Sequence, residues 1–190
     1  MQIGLFFGSF NPVHTGHLII ANHILNEVEL DKIWFVVSPI NPFKINSDLL
    51  DEDARLSLVK IAIQDDERIT ASDIEFELPR PSFTINTLSF LKKNYPKDNF
   101  SIIMGSDNFR DIDKWKNYEE IIANHKILIY SRAGFEVKNK FNADIEILDA
   151  PILDISSTEI RELIKKRKSI RYLLPELVRK EIEEREYYKK

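Results

Sequence analysis

Short apolar runs alternate with helical patterns along most of the chain. The runs are rich in β-branched and aromatic residues and contain few polar positions, which predicts strands that are buried on both faces. We predict strands or extended segments at 3–7, 32–38, 68–77, 100–104, 126–131 and 145–148. The segments between them carry apolar residues at helical spacing. We predict a first helix that begins just before Leu18. Further helices are predicted at 51–64, 84–94, 118–124, 157–166 and 175–186.

Strands separated by helices imply right-handed crossovers, and therefore a parallel sheet that is covered on both faces. We predict an α/β fold with a Rossmann-like, doubly wound parallel sheet of about five to six strands. The 190 residues are enough for one domain with a sizeable core, so we expect a single domain over 1–190. In such folds ligands bind at the carboxyl ends of the strands, near the point where the strand order reverses.

Composition excludes several classes of protein. Hydrophobic residues make up 43% of the chain and charged residues 31%, as in ordinary globular proteins. No apolar run approaches the roughly 20 residues of a membrane span, and the chain enters a strand directly, so we expect neither membrane contact nor a signal peptide. The lack of cysteine excludes disulfides and fits a cytoplasmic protein. A net charge of −4 gives no general attraction to nucleic acid, so any anion site is local.

The most informative segment is the first phosphate motif, residues 8–17 (G-S-F-N-P-V-H-T-G-H), between the first strand and the first helix. A helix N-terminus attracts phosphate because it offers unpaired N–H groups and the positive end of the helix dipole. Gly16 has no Cβ and would let a phosphate approach the backbone. His14 and His17 are three residues apart, so their rings can project from one side of the first turn. A single histidine here is more often a cap or a surface residue, but this pair favours a functional site.

A second helix start of this kind is the second phosphate motif, residues 155–161 (I-S-S-T-E-I-R). Ser156 or Ser157 can cap the helix, with Glu159 spaced from Ser156 as in a capping box. Hydroxyls and free N–H groups there form another anion cradle, and Arg161 adds a planar fork of donors that suits phosphate. Alone, this segment would be a well-capped helix with a surface arginine. Two such helix starts in one α/β domain favour a site for a polyphosphate.

These two motifs resemble the nucleotidylyltransferases of the H-x-G-H type. Further segments are similar to the nicotinate-nucleotide adenylyltransferase family and extend the resemblance over nearly the whole chain. They are 39–44 (P-I-N-P-F-K), 77–88 (E-L-P-R-P-S-F-T-I-N-T-L), 104–107 (M-G-S-D) with Trp115, and 171–175 (R-Y-L-L-P). The resemblance implies the nucleotidylyltransferase fold, with the second phosphate motif carried on C-terminal helices at about 156–187. It also implies transfer of the adenylyl group of ATP to nicotinic acid mononucleotide, which yields deamido-NAD and pyrophosphate. Mg²⁺ would be held largely by phosphates rather than by protein ligands.

By this resemblance, the two phosphate motifs hold the triphosphate from opposite sides. The residues expected to act in catalysis are His14, His17 and Arg161. The residues expected to bind ATP are Gly8, Ser9, Phe10, His14, Gly16, His17, Gly105, Asp107, Ser156, Ser157 and Arg161. Asp107 would accept hydrogen bonds from the ribose hydroxyls, although alone it would be read as a helix N-cap. The attacking group would be a phosphate, which is already largely anionic because its second pKa is about 6. No general base is then required, and positioning and electrostatics do the work.

The residues expected to bind the acceptor are Lys44, Phe83, Thr84 and Trp115. Thr84 would begin a helix whose free N–H groups could receive the nicotinate carboxylate. Trp115 offers a flat face for the pyridine ring, and core packing is an equal alternative for it.

Several positions depart from the family pattern, among them residues 79–81 (P-R-P) in place of the usual glycine and proline, and they leave the preference for the acid over the amide open. Phe43 precedes Lys44 where the family usually has histidine, Phe83 lacks a tyrosine hydroxyl, and Asn86 lacks an aspartate charge. One alternative is a sibling enzyme with the same phosphate motifs, either pantetheine-phosphate adenylyltransferase or a cytidylyltransferase. Another is a nucleotide-sensing module that binds ATP without transfer. The expected partners are ATP and nicotinic acid mononucleotide, with no nucleic acid, and association into a homo-oligomer stays open.

Overall fold

The computed structural model describes residues 1–40, 48–132, 134–151 and 154–189. The strands are β1 (Gln2–Gly8), β2 (Lys32–Val37), β3 (Ile69–Ser72), β4 (Asn99–Gly105), β5 (Ile127–Tyr130) and β6 (Ile145–Leu148). They form one sheet in the order β3-β2-β1-β4-β5-β6, and every neighbouring pair is parallel. The order reverses between β1 and β4, as in doubly wound sheets. The predicted α/β fold with a parallel sheet of five to six strands is confirmed.

Helices connect the strands and cover the sheet. They are α1 (Thr15–Glu27), α2 (Glu52–Ile63), α3 (Thr84–Asn94), α4 (Ser106–Arg110), α5 (Tyr118–Asn124), α6 (Ser157–Lys165) and α7 (Glu176–Glu184). Short 3₁₀ helices span Ile74–Glu77 and Ile112–Lys114. Within the described ranges, no helix is both long enough and apolar enough to cross a membrane.

Two hydrophobic cores lie on opposite faces of the sheet. In β1, Phe6 belongs to one core, whereas Ile3 and Leu5 belong to the other. Helices α1, α2, α6 and α7 contribute to the first core, and α3, α4 and α5 contribute to the second. Successive residues of a strand point to opposite faces, so a strand with a core on each side is apolar at nearly every position. This double burial explains the uninterrupted apolar runs of the sequence.

The predicted extended segment 68–77 is only half correct. Strand β3 ends at Ser72, and the chain then forms the 3₁₀ helix Ile74–Glu77. The buried carboxylate of Glu75, on this turn, accepts hydrogen bonds from Ser82 and Thr87. A turn held by contacts to residues further along the chain leaves no periodic pattern in its own sequence, so the pattern missed it.

Helix α4 and the 3₁₀ helix Ile112–Lys114 were not among the predicted helices. The alternative reading of Asp107 as an N-cap implied a helix here, but the N-cap of α4 is Gly105. Helix α4 has five residues, too few to show an apolar period. It follows β4 directly, and its Phe109 packs into the second core. This short helix nevertheless carries Asp107, one of the predicted site residues, at the carboxyl end of β4.

Candidate active site

Two segments of the predicted site, the first phosphate motif and residues 105–107, lie at the carboxyl ends of β1 and β4, which are neighbours at the point where the strand order reverses. Strand β1 leads into the first phosphate motif, and β4 leads through Gly105 into α4. Doubly wound sheets bind their ligands in the crevice at this edge. Two of the predicted nucleotide-binding segments therefore start from adjacent strands.

The two histidines of the first phosphate motif stack against each other. Their ring centroids are 3.7 Å apart, with 28° between the planes. His14 is the N-cap of α1, and its backbone N–H donates to Nδ1 of His17 at 3.1 Å. Because Nδ1 accepts this bond, the neutral ring of His17 carries its proton on Nε2. The arrangement fixes the tautomer of His17 and presents both rings on one side of the helix start.

His14 is buried, with 5% of its surface exposed. Burial, together with the nearby positive charge of Arg132, lowers the pKa of His14 from 6.5 to about 4. The ring is therefore uncharged at neutral pH, because protonation would bury a cation beside a guanidinium. His14 can contribute one N–H donor to a bound anion but no net charge.

The glycines of this motif make room for its own aromatic rings. A Cβ on Gly16 would lie 3.0 Å from Nδ1 of His14, and one on Gly8 would lie 2.9 Å from the ring of Phe10. Phe10 itself is buried and stacks on Phe35, with centroids 5.1 Å apart. It has φ of 44°, an uncommon backbone conformation for a residue with a side chain. The aromatic stack holds the loop, so the contact that Phe10 can offer a nucleotide comes from its backbone.

The second phosphate motif docks directly on the first. Oγ of Ser157 donates to the carbonyl of Pro12 at 2.9 Å, across 145 residues of sequence. Nη1 of Arg161 donates to the carbonyl of Asn11 at 2.8 Å, across 150 residues. The structure therefore brings the two motifs together, and their helix starts face one loop.

Ser156 caps α6, since its Oγ accepts the N–H of Glu159 at 3.1 Å. Arg161 is not a surface residue, because only 7% of it is exposed. One terminal nitrogen donates to the Asn11 carbonyl, and the other lies 3.4 Å from the hydroxyl of Thr158. Its guanidinium is thus positioned by the protein before any ligand binds.

Among the residues that the structure describes, three buried side-chain atoms have no hydrogen-bond partner. They are Nδ1 of His14, Oδ1 of Asp107 and Nε of Arg161. Buried polar atoms are nearly always paired, and an unpaired one requires an explanation. All three belong to residues for which the sequence predicts contact with ATP, so the unpaired atoms mark the same place as the motifs.

Arg132 is a site residue that the sequence analysis missed. Its Nε lies 3.8 Å from Oδ1 of Asp107, and its Nη2 lies 3.4 Å from the hydroxyl of Tyr130. Its backbone N–H donates to Oγ of Ser106 at 2.9 Å. It also depresses the pKa of His14, so its cation acts on two predicted ATP-binding residues, His14 and Asp107. Its position just past a predicted strand, at the edge where ligands bind, was the available signal.

A cavity of about 360 Å³ opens beside the start of α3. This α3 cavity reaches from Gly8 and Ser9 of the first phosphate motif to Phe83, Thr84 and Trp115. The last three are predicted acceptor-binding residues, and the structure brings them together. Lys44 and Phe43 lie outside the described residues.

The start of α3 is fixed by a buried carboxylate that the sequence analysis also missed. Phe83 is the N-cap and Thr84 the first helical residue, so the first N–H groups of the helix have no partner within it. Glu75 is 2% exposed, and its two oxygens accept from Ser82 at 2.7 Å and from Thr87 at 2.8 Å. These bonds tie the 3₁₀ helix to both sides of the helix start.

Trp115 meets both alternatives that the sequence left open, since it packs against the second core and also lines the α3 cavity. Next to it, Nζ of Lys116 lies 4.7 Å from the ring centroid of Phe83. The cavity therefore combines aromatic rings, a helix N-terminus and a cation.

A buried arginine joins the ends of β1 and β2. Arg55 is fully buried, and its guanidinium donates to four backbone carbonyls of the described residues. They are Leu50 at 2.8 Å, Ser9 and Ser38 at 2.7 Å each, and Pro39 at 2.9 Å. An arginine on an amphipathic helix is usually a surface residue, so no sequence signal identified it.

Known proteins provide an independent comparison. Residues 5–163 match the family model described as cytidylyltransferase-like. A protein from Flavobacterium johnsoniae, named "Probable nicotinate-nucleotide adenylyltransferase", is 50% identical over 100% of both chains. One from Bacteroides fragilis with the same name is 48% identical over 95% of this chain and 90% of its own.

A solved structure of Plasmodium falciparum nicotinic acid mononucleotide adenylyltransferase, complexed with NaAD, shares the fold. Its TM-score is 0.84 at 23% identity, covering 98% of this chain and 97% of that one. The complex of the same enzyme with APC gives a TM-score of 0.82. The fold, the matched family model and the full-length relatives agree: the chain belongs to the cytidylyltransferase-like family and, within it, to the nicotinate-nucleotide adenylyltransferases.

Proposed function

We propose that this protein transfers the adenylyl group of ATP to nicotinic acid mononucleotide, yielding deamido-NAD and pyrophosphate. The observation that carries the proposal is the continuity of the two halves of the site. The α3 cavity ends at Gly8 and Ser9, where the first phosphate motif begins. An acceptor in the cavity can therefore bring its phosphate to a nucleotide held by the two phosphate motifs.

ATP would lie across the carboxyl ends of β1 and β4. Its phosphates would lie against the side chains of His14 and Arg161, each of which has a buried nitrogen without a hydrogen-bond partner. Oδ1 of Asp107, also unpaired, would accept from a ribose hydroxyl. The N–H groups at the starts of α1 and α6 add positive potential without mobile charge.

The acceptor would place its pyridine ring on Trp115 and its carboxylate at the start of α3. The unpaired N–H groups there favour an anion. Phe83 and Thr84 lie between Ser82 and Thr87, whose hydroxyls donate to Glu75, and these hydrogen bonds fix the position of the helix start. A nicotinate carboxylate gains more from these donors than a neutral amide does.

In the reaction, an oxygen of the acceptor phosphate forms a bond to the α-phosphorus of ATP. The bond from that phosphorus to the α–β bridging oxygen breaks, and pyrophosphate leaves with its electron pair. The attacking phosphate is already an anion, so no side chain has to remove a proton. His14, His17 and Arg161 orient the phosphates and stabilise the charge that accumulates on the leaving group.

Magnesium would serve this reaction by neutralising phosphate charge. Within the described residues, no cluster of three or more histidine or carboxylate side chains could hold a metal ion. Mg²⁺ commonly retains water and binds through substrate phosphates, and the cationic, donor-rich lining of this site fits a metal that arrives with ATP.

A turnover assay tests the proposal. ATP or CTP is offered with nicotinic acid mononucleotide, nicotinamide mononucleotide or phosphopantetheine, and both pyrophosphate and the joined product are measured. We expect ATP with nicotinic acid mononucleotide to give the highest kcat/KM. Preference for phosphopantetheine or CTP would instead identify a sibling enzyme, and ATP binding without pyrophosphate release would identify a sensing module.

A further inference from the structure

Among the described residues, the α3 cavity is lined by two acidic and two basic side chains, which differ in their ion-pair partners. They are Glu75, Asp111, Lys114 and Lys116. Lys114 forms an ion pair with Asp111 at 2.8 Å, and Asp111 is also paired with Arg110 at 2.6 Å. The charge of Lys114 is therefore partly compensated at short range, by a carboxylate that it shares with Arg110.

Lys116 differs from Lys114 in its partners. In the part of the chain that the structure describes, no carboxylate forms an ion pair with it. Its ammonium lies instead over the ring of Phe83, the N-cap of α3, at 4.7 Å from the centroid. A cation held on an aromatic face retains its charge and loses some of its freedom to move. Lys116 thus places an uncompensated positive charge beside the helix start that lines the cavity.

The buried carboxylate of Glu75 makes this cation necessary for an anionic ligand. Both of its oxygens accept from neutral hydroxyls, which leaves its negative charge without a paired cation among the described residues. Without Lys116, the one lining cation among the described residues would be Lys114, which is held by Asp111. With Lys116 present, the lining carries two negative and two positive side chains, and the helix N-terminus tips the potential towards an anion.

We propose that Lys116, held on the ring of Phe83, is a specificity-determining residue that favours a pyridine nucleotide with a ring carboxylate over the same nucleotide with a carboxamide. This inference rests on the proposed function. The two acceptors differ by one unit of charge at the ring substituent and share the phosphate and ribose. A single cation near that substituent therefore discriminates between them without affecting their common parts.

The test compares Lys116→Met with Lys114→Met and with Lys93→Met. Lys93 lies in the last turn of α3, is exposed and is not among the residues lining the cavity, so its variant controls for the loss of one net charge. For each protein, kcat/KM is measured with nicotinic acid mononucleotide and with nicotinamide mononucleotide at saturating ATP and low ionic strength.

We expect Lys116→Met to lower kcat/KM for the acid by about three- to tenfold, the scale of one partly screened charge, and to change the value for the amide by less than about twofold. Lys116→Arg should retain the ratio of acid to amide. Lys114→Met should shift the ratio less than Lys116→Met, because Arg110 still neutralises Asp111. Lys93→Met should leave the ratio as in the unmodified protein.

An unchanged ratio in Lys116→Met, or an equal shift in Lys114→Met, overturns the inference while the proposed function stands. If the unmodified protein turns over neither mononucleotide, the proposed function itself fails. Circular dichroism of each variant verifies folding, and folding is expected to persist because the Lys116 side chain is exposed.

Discussion

The two halves of the site differ in how their polar groups are satisfied. At the phosphate motifs and the start of α4, buried atoms of His14, Arg161 and Asp107 lack hydrogen-bond partners. Beside the α3 cavity, the buried carboxylate of Glu75 has a hydroxyl donor on each oxygen. On the proposed function, the nucleotide half therefore holds polar groups that the protein leaves without hydrogen bonds, whereas the buried carboxylate of the acceptor half is satisfied within the protein.

This difference has an energetic consequence. A buried polar atom without a partner destabilises the folded protein, and a ligand that supplies the partner recovers that free energy as affinity. A buried group that is already paired stabilises the fold and contributes to binding only by positioning other atoms. Substitutions should therefore separate: those at the phosphate motifs should reduce function more than stability, and those at Glu75 should reduce stability as well.

The largest effect is expected for His17→Ala. The variant removes an imidazole ring whose Nε2 carries a proton. Removing a hydrogen-bond donor that stabilises the charge of the transition state typically lowers kcat by about a hundredfold or more. The fold should persist, because His17 is a helix-start residue and α1 keeps its buried residues Ile20, Ala21 and Ile24. Turnover and thermal unfolding of the variant are measured side by side. Near-normal kcat would show that His17 only shapes the helix start.

The pH dependence of stability comes next and concerns His14. Its pKa in the folded protein is about 4, below the usual 6.5. Between these values the unfolded chain takes up a proton that the folded chain excludes, so the free energy of unfolding falls as the pH drops below 6.5.

From pH 7 to pH 5, His14 alone should cost about 2 kcal/mol of stability. The stabilisation is fully present above pH 6.5 and is lost towards pH 4. The control is His14→Asn, because asparagine also caps helices but does not titrate. Urea unfolding at both pH values should show a smaller loss for the variant, whereas equal losses would contradict the buried, uncharged state of His14.

At the acceptor half, Glu75→Gln is expected to lower the free energy of unfolding by about 1.5 kcal/mol, since two charge-assisted hydrogen bonds become neutral ones. The start of α3 should also become less well positioned, which raises KM for the acceptor and leaves KM for ATP nearly unchanged. Denaturant unfolding and both KM values test this. A variant as stable as the unmodified protein would remove the contrast between the two halves.

The sequence predicted the fold and the phosphate motifs better than the remaining parts of the site. Buried parallel strands and capped helix starts leave local patterns, so β1, α3 and a serine cap for α6, at Ser156 or Ser157, were predicted from neighbouring residues. Arg55, Glu75 and Arg132 were not identified, because their roles depend on distant partners. Arg55 is bonded to Ser9, 46 residues away, and no local pattern distinguishes it from a surface arginine.

The smallest effect, and the sharpest test of the contrast, is expected for Asp107→Asn. Asparagine keeps the size of the side chain but removes the charge that strengthens a hydrogen bond from a ribose hydroxyl, so KM for ATP should rise by about fivefold. Oδ1 of Asp107 has no hydrogen-bond partner, and its ion pair with Nε of Arg132 is long, at 3.8 Å, and partly exposed, so losing its charge should lower the free energy of unfolding by no more than about 0.5 kcal/mol. The matched ligand is 2′,3′-dideoxy-ATP, for which the substitution should matter little, since it has no ribose hydroxyl to donate. If Asp107→Asn weakens ATP and the dideoxy analogue equally, Asp107 does not bind the ribose. If it lowers stability as Glu75→Gln does, the two halves of the site do not differ in the way that their hydrogen bonds indicate.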